Sequence, residues 1–190
     1  MKIKNLLLAI SLLVVFGSCN NDYIPKPVGL FRIDIPEHSY KNLDLPNLPY
    51  SFDYADYAQA TKPSDKNPDW VNIYYPKFKA SIYISYSKID TTLSAYIDDC
   101  HNMAYKHTVM ATNIETEPII LPKQKVYGLI YYIEGDKAAS PLNFYLTDST
   151  NHFLRGALYF NLSPRNDSLR PVIQGIEKDI DRLIRSFSWK

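Results

Sequence analysis

The sequence predicts an α+β domain with a mostly antiparallel sheet flanked by helices. Three observations predict this class. Two strand-like runs lie close together at 70–86, four more follow between 114 and 160, and an amphipathic segment follows each of these two sets. Strands, a helix, more strands and a terminal helix form the order expected when helices cover an antiparallel sheet.

The segment 1–18 is predicted to be a lipoprotein signal peptide. Two lysines precede an apolar run, LLLAISLLVVF, which is shorter than the roughly 20 apolar residues of a membrane-spanning helix. Small residues then lead to Cys19, as in the lipobox of bacterial lipoproteins, where the cysteine thiol receives a diacylglycerol and becomes the new N-terminus. An ordinary cleaved signal with an incidental cysteine is the alternative.

The next segment, 19–49, is predicted to be the lipidated cysteine followed by a proline-rich extended tether. It holds five prolines, which interrupt helices and central strands. Apolar residues such as Ile33 and Ile35 suggest that part of the tether docks on the folded part. The remaining chain, 50–190, is predicted to be a single α+β domain.

The domain begins with a hairpin and a helix. The runs 70–75 and 80–86 are rich in Tyr, Ile and Val, and four residues separate them, as in a short antiparallel connection. Thr91 or Thr92 can then cap a helix whose apolar positions recur at spacings of three and four. Cys100 falls on the apolar stripe of this helix and is therefore expected in the core.

Four further strands are predicted at 114–120, 126–134, 141–147 and 152–160, and an amphipathic helix is predicted from about 167 to 186. The second of these strands is apolar on both alternating faces, which predicts a central position covered on both sides. Pro171 is expected in the first turn of the terminal helix. The order of elements is similar to the Mog1/PsbP-type α/β/α sandwich, a resemblance of architecture that implies no function.

Composition argues against several classes of protein. Removing Lys2 and Lys4 from 21 basic residues leaves 19 against 20 acidic residues, so the mature chain is near neutral and no nucleic-acid partner is implied. Cys100 is the only cysteine besides Cys19, so a lipidated Cys19 leaves no internal disulfide. Sixteen tyrosines can serve both strands and contact surfaces.

The stretch TDSTNHFLRGALYF, 147–160, holds the residue types of a hydrolytic site. Asp148, Ser149 and His152 lie between two strand-like runs, however, in a segment of residues that form turns by bonding to their own backbone. No nucleophile-elbow motif surrounds Ser149, so a turn is the better interpretation. Asp98 and His101 could share a metal on one helical face, but no zinc motif occurs and no metal or other cofactor is expected.

Three blocks of the sequence carry a resemblance to a known family. They are YIPKPVGLFRIDIP at 23–36, YKHTVMAT at 105–112, and 147–160 continued through Asp167-Ser168-Leu169 to Ser186-Phe187-Ser188-Trp189. Together they resemble the gliding-motility lipoprotein GldD of Bacteroidetes over nearly the whole chain. The resemblance implies a non-enzymatic, lipid-anchored cell-envelope protein that supports the gliding and type IX secretion-associated machinery through protein partners, at the outer membrane or the periplasmic face of the inner membrane.

Four residues are candidates for binding a partner. Arg155 interrupts an apolar strand, shares a face with Phe153, Ala157 and Tyr159, and either pairs with a carboxylate or helix carbonyls or forms a partner-binding patch with tyrosines such as Tyr159. The other two candidates are Arg32 and Tyr23, in the block after the lipobox. An alternative function is a surface lipoprotein that binds a glycan or other small ligand, which a pocket lined by aromatic rings would favour over a flat patch.

Overall fold

A computed structural model describes residues 33–63, 65–106, 110–161 and 166–190. Within these ranges lie ten strands: β1 Tyr40–Leu43, β2 Tyr50–Ala55, β3 Gln59–Thr61, β4 Val71–Tyr75, β5 Ala80–Lys88, β6 Asn113–Leu121, β7 Val126–Glu134, β8 Leu142–Thr147, β9 His152–Phe160 and β10 Ser188–Trp189. Two helices accompany them, α1 Leu93–Tyr105 and α2 Asn166–Ser186. The predicted signal peptide, Cys19, Tyr23 and Arg32 lie outside the described residues.

Seven strands form one antiparallel sheet in the order β3-β4-β5-β9-β8-β7-β6, and this confirms the predicted α+β class. The predicted hairpin is β4 and β5, which a 3₁₀ turn over Pro76–Phe78 connects. Lys79 closes this turn with a φ of 49°, a left-handed conformation that lets its amide bond back to the carbonyl of Pro76. The β-branched and aromatic residues of these runs favour the pleated conformation on both sides of the turn.

The position predicted for β7 was wrong, although it is covered on both faces. β7 lies next to the edge strand β6, and the middle strand of the seven is β9. Val126 and Ile130 pack into the core on one face of β7, while Tyr131 and Ile133 are buried on the other. A strand near an edge reads as apolar throughout because elements cover both of its faces, and this pattern alone does not give its place in the order.

One face of the large sheet carries the main core. Helix α2 contributes an apolar stripe that includes Val172, Ile176, Ile180 and Leu183, as its sequence spacing of three and four predicted. A small sheet, in the order β1-β2-β10, completes the cover and buries Tyr50, Phe52 and the adjoining Phe187 against one another. Stacked rings of this kind bury large apolar areas, so this cluster stabilises the junction of sheet and helix.

Pro171 lies in the second turn of α2 and not in the first turn as predicted, because the helix begins at Asn166. Proline has no amide hydrogen, so this turn lacks one backbone hydrogen bond of the usual i to i−4 kind. The apolar stripe that follows compensates for that loss through packing.

The opposite face of the large sheet is covered in part by α1. Thr92, one of the two predicted caps, occupies the N-cap position in extended conformation, but its side chain does not make the capping hydrogen bond. Cys100 and Ala104 of α1 are buried against Tyr131, Tyr145 and Phe153 in a smaller second core. The helix spans 13 residues, about 20 Å, and therefore covers only part of a seven-stranded sheet.

The folded part includes residues upstream of position 50, where a partly docked tether was expected. Strand β1 pairs with β2, and Ile33 and Ile35 pack against the main core. Ile35 also contacts Gly175 of α2, where an added methyl group would come within 3.1 Å of the isoleucine side chain. The segment from 33 onward is therefore bound to the domain through apolar contacts.

A buried carboxylate fixes this upstream segment to the terminal helix. Asp179 of α2 is 2% exposed, yet it lies in the apolar stripe. His38 Nδ1 lies 2.8 Å from one of its oxygens, and the hydroxyl of Tyr57 donates to the other at 2.6 Å. Burial raises the pKa of Tyr40 and Tyr75, and the nearby charge of Asp179 raises both further.

We expect Asp179→Ala to lower the free energy of unfolding by about 3 kcal/mol, because it leaves a buried hydroxyl and an imidazole without their acceptor. Asp181→Ala is the matched control, since that carboxylate is 55% exposed and pairs only with Arg185 one turn away. Its loss should cost less than about 0.5 kcal/mol. Urea unfolding followed by tryptophan fluorescence measures both, and equal effects of the two variants would contradict the role given to Asp179.

Candidate functional site

The segment between β8 and β9 is a hydrogen-bonded turn built around Asp148. One carboxylate oxygen of Asp148 accepts from the backbone amides of Thr150, Asn151 and His152 at 2.9, 2.8 and 2.9 Å. The hydroxyl of Thr147 donates to the carbonyl of His152 at 2.7 Å. Burial acts to raise the pKa of Asp148, but the backbone hydrogen bonds outweigh it and lower the pKa to about 2.

The two other residues of the suspected hydrolytic set, His152 and Ser149, do not form a nucleophile and base pair. His152 Nδ1 lies 2.7 Å from the hydroxyl of Tyr86, and its ring stacks on Trp189 at 5.1 Å between centroids. Ser149 is exposed, with a φ of 69° at the tip of the turn. A nucleophile needs a base directed at its oxygen, and His152 is directed at Tyr86 instead.

The helix α1 offers no metal site in the described part of the chain. Asp98 is exposed and accepts a hydrogen bond from Ser94, while the ring of His101 stacks on Tyr105 at 4.3 Å. No group of three or more His, Cys, Asp and Glu side chains among the described residues could hold a metal ion. Burial raises the pKa of the Cys100 thiol to about 11, so this thiol is protonated near neutral pH.

Arg155 lies on β9 between Ser85 of β5 and Tyr145 of β8. Its Nη1 donates to the sulfur of Met103 on α1. Within the described residues no carboxylate pairs with it, so neither partner predicted for its guanidinium, a carboxylate or helix carbonyls, is the one observed. A thioether is a weak acceptor, which leaves most of the hydrogen-bonding capacity of this half-buried cation unused.

Tyr159 lies on the same face as Arg155, as strand alternation predicted, beyond the end of α1. Its ring meets that of Tyr83 edge to face, with centroids 5.8 Å apart. Tyr83 and Met103 are each 42% exposed. We call these four residues, Tyr83, Met103, Arg155 and Tyr159, the open face, because all four are at least partly exposed in the described structure.

A pocket of about 270 Å³ opens between α1 and the sheet. Its lining includes the exposed Met103 and Lys106, the partly buried Asn143, Arg155 and Tyr159, and the buried Tyr131. The buried side chain of Ala157 completes it, whereas the ring of the adjoining Phe144 packs into the main core on the opposite face of the sheet. The pocket thus combines two cationic side chains with mainly apolar walls.

Tyr131 is the unusual member of the pocket. Its hydroxyl is buried and is the one buried side-chain oxygen or nitrogen without a hydrogen-bond partner in the described part of the protein. Burial raises its pKa to about 12, with smaller contributions from Tyr145 and Cys100. An unsatisfied buried hydroxyl costs about 1 to 3 kcal/mol, so the fold tolerates it at the expense of stability.

Sequence reasoning found Arg155 and Tyr159 but missed the rest of the pocket. Tyr131 lies within an apolar run, where a hydroxyl group needs a specific partner. Its burial could not be predicted from the sequence, because it depends on the packing of α1. Met103 belongs to α1, and nothing in the sequence shows that it reaches Arg155, 52 residues away.

None of the helices within the described ranges has the length and apolar character needed to cross a membrane.

Comparisons with known proteins identify a family and a similar structure. The family model described as gliding motility lipoprotein GldD matches residues 20–189. No curated protein matches the chain. The solution structure of cyanobacterial PsbP (CyanoP) from Synechocystis sp. PCC 6803 is similar, with 13% sequence identity and a TM-score of 0.48 over 87% of this chain and 100% of that one.

We expect Asp148→Ala to lower the free energy of unfolding by about 1 kcal/mol near neutral pH, a figure reduced for the partial exposure of the turn. The pKa of this carboxyl is lower in the folded protein than its ordinary 3.8, so its contribution is present above pH 3.8 and is lost as the pH falls toward 2. Urea unfolding at several pH values measures the effect, with the exposed Asp65→Ala as control. A deficit that persisted at pH 2 would show that the charge of Asp148 does not stabilise the turn.

Proposed function

Because the chain belongs to the gliding motility lipoprotein GldD family, we propose that it is a non-enzymatic, lipid-anchored protein of the cell envelope that supports the gliding machinery through protein partners. The match over residues 20–189 is the observation that carries the proposal, since it spans the tether and the whole domain.

The lipid anchor is proposed at Cys19. The residue follows an apolar run and small residues that suit lipoprotein processing, and the family is named for lipoproteins. A lipid chain adds about 0.8 kcal/mol of membrane affinity for each buried methylene, so several acyl chains hold a domain firmly. The anchored surface is the outer membrane or the periplasmic face of the inner membrane.

The finer part of the proposal is an association with type IX secretion. It rests on the sequence resemblance described above and would place the protein in support of the secretion or envelope machinery, whether or not the cell glides. The crosslinking partners of the anchored domain in living cells would distinguish these two roles.

The proposal that the protein has no catalytic activity is supported by the state of its candidate groups. Asp148 accepts backbone hydrogen bonds within its turn, and His152 contacts Tyr86. The thiol of Cys100 is buried and its pKa is raised. None of these groups has the pairing that activates a nucleophile.

The open face is the surface proposed for a protein partner. Arginine and tyrosine are enriched among the residues that dominate binding energies, and this face presents Arg155 without a carboxylate partner in the described structure, together with the exposed ring of Tyr83. Arg32 and Tyr23 remain proposed contacts of the upstream segment. The alternative, a small ligand, is favoured by the pocket beside this face.

We expect Cys19→Ala to release the protein from the membrane or to leave it unprocessed, since lipid is the proposed anchor. Fractionation of cells followed by an alkaline wash of the membranes measures this. Cys100→Ala is the control, because that buried thiol lies in the domain and should leave fractionation unchanged. A Cys19→Ala protein that was processed normally and still resisted the wash would contradict the lipid anchor.

We expect Arg155→Ala to keep a melting temperature within a few degrees of the wild type but to reduce crosslinking to envelope proteins at least ten-fold, since loss of a central arginine typically costs 2 kcal/mol or more of binding energy. Arg170→Ala is the matched control, because Arg170 is 68% exposed on α2 and, among the described residues, pairs only with Asp167. Quantitative crosslinking in intact cells measures both. Normal crosslinking by Arg155→Ala would remove this face from the proposed interaction.

A further inference from the structure

The pocket between α1 and the sheet contains polar groups whose hydrogen-bonding capacity the described residues do not fully use. The hydroxyl of Tyr131, a residue 1% exposed, has no partner. Arg155 donates only to the sulfur of Met103 among the described residues, and Lys106 at the rim pairs with no carboxylate there. A polar group without a hydrogen-bond partner lowers the stability of the folded protein, and a ligand that bonds to the group can recover that loss.

The charges of the pocket select an anion. Among its described lining residues Arg155 and Lys106 are cations and none is an acid. The ligand would meet these two charges near the carboxyl end of α1, where the helix dipole opposes an anion with about half a charge, which two full cations exceed. The guanidinium of arginine also matches a carboxylate in geometry, since two parallel hydrogen bonds can form.

The other residues that line the pocket indicate what the uncharged part of this anion, its body, consists of. Asn143 accepts from the hydroxyl of Ser140 at 2.9 Å through its carbonyl oxygen, which leaves its amide nitrogen as a donor. Apart from these donors the walls are mainly apolar, and they include Cys100, Ala157 and the ring of Tyr159. A sugar would need several acceptors that the walls do not supply, and a phosphate carries a hydration shell that they do not replace.

We propose that this pocket binds a carboxylate carried on an apolar or aromatic body, with Arg155 and Tyr131 holding the carboxylate and with Ala157 and Tyr159 contacting the body. The volume of about 270 Å³ lies at the small end of ligand pockets and suits one ring with a short chain. Such a group occurs both in free small molecules and at the C-terminus of a polypeptide.

Met103 controls entry to the pocket. Its sulfur is the present acceptor of Arg155, its side chain is 42% exposed, and methionine changes conformation readily. A carboxylate is a stronger acceptor than a thioether and therefore displaces Met103 from the guanidinium. The methyl group of Met103 consequently reports on binding.

The test uses the full lipidated chain in detergent micelles, labelled with ¹³C at the methionine methyl groups. Met1 falls in the predicted signal peptide, so Met103 and the exposed Met110 are the two probes. Titration with 3-phenylpropanoate should shift the Met103 signal with saturation and leave the Met110 signal nearly unchanged. The neutral 3-phenylpropan-1-ol and the dianion phenyl phosphate serve as ligand controls.

Two variants separate binding from folding. Arg155→Gln should weaken 3-phenylpropanoate binding at least ten-fold. Tyr131→Phe should weaken it several-fold while leaving the melting temperature equal to or above that of the wild type, because it removes an unsatisfied buried hydroxyl. If the hydroxyl of Tyr131 had only a structural role, its removal would change the melting temperature and not the binding of 3-phenylpropanoate. Arg170→Gln is the matched control and should bind as the wild type does.

Acetyl-glycyl-phenylalanine and its C-terminal amide identify the source of the carboxylate. Tighter binding of the free acid than of 3-phenylpropanoate supports a polypeptide C-terminus, and weaker binding supports a small molecule. The proposal is overturned if 3-phenylpropan-1-ol shifts the Met103 signal as much as 3-phenylpropanoate does, or if phenyl phosphate binds more tightly. It is also overturned if 3-phenylpropanoate at about 10 mM, about ten times a weak dissociation constant, gives no saturable shift of Met103.

The inference is independent of the proposed function. Binding of 3-phenylpropanoate by the purified protein can succeed while Arg155→Ala keeps its crosslinks in cells, in which case the pocket stands and the partner surface fails. The reverse pair of results would retain the partner surface and reject the pocket.

Discussion

The buried carboxylate of Asp179 is the constraint on which the arrangement of the chain depends. A charge in an apolar stripe is costly unless its oxygens are satisfied, and here the donors come from His38 and Tyr57, 141 and 122 residues away. The terminal helix can therefore pack only when the upstream segment and the turn after β2 are in place. Apolar contacts would tolerate a helix shifted by a turn, whereas this set of hydrogen bonds allows one register.

The two faces of the large sheet differ in how completely they are covered. The face that holds Asp179 is closed by α2 and by the small sheet, and its core is continuous from Phe52 to Phe187. On the other face α1 is the only helix among the described residues, and it is too short to cover seven strands. The uncovered part retains a cation and exposed rings, so the chemistry available to a partner or ligand lies where the fold is least complete.

The strands and helices were predictable because the spacing of apolar residues along each of them matches the face that it buries. The hairpin at 71–88 and the stripe of α2 follow from spacings of two and of three to four, since side chains at these spacings share a face. The place of β7 was not predictable, because burial on both faces comes from helices distant in sequence. The shared face of Arg155 and Tyr159 followed from alternation along one strand, whereas Met103, Lys106 and Tyr131 joined them through tertiary packing alone.

The short strand β10 has a consequence for how the protein is made. Phe187 is fully buried between Tyr50 and Phe52, Trp189 pairs with Tyr50, and the amide of Lys190 donates to Pro49. The main core cannot close before residues 187–190 are available, so β2 must wait for a segment at the far end of the domain before it is buried. Until then the rings of Tyr50 and Phe52 lack the partner Phe187 that buries them, so the closure of this junction depends on contacts that form late in translation.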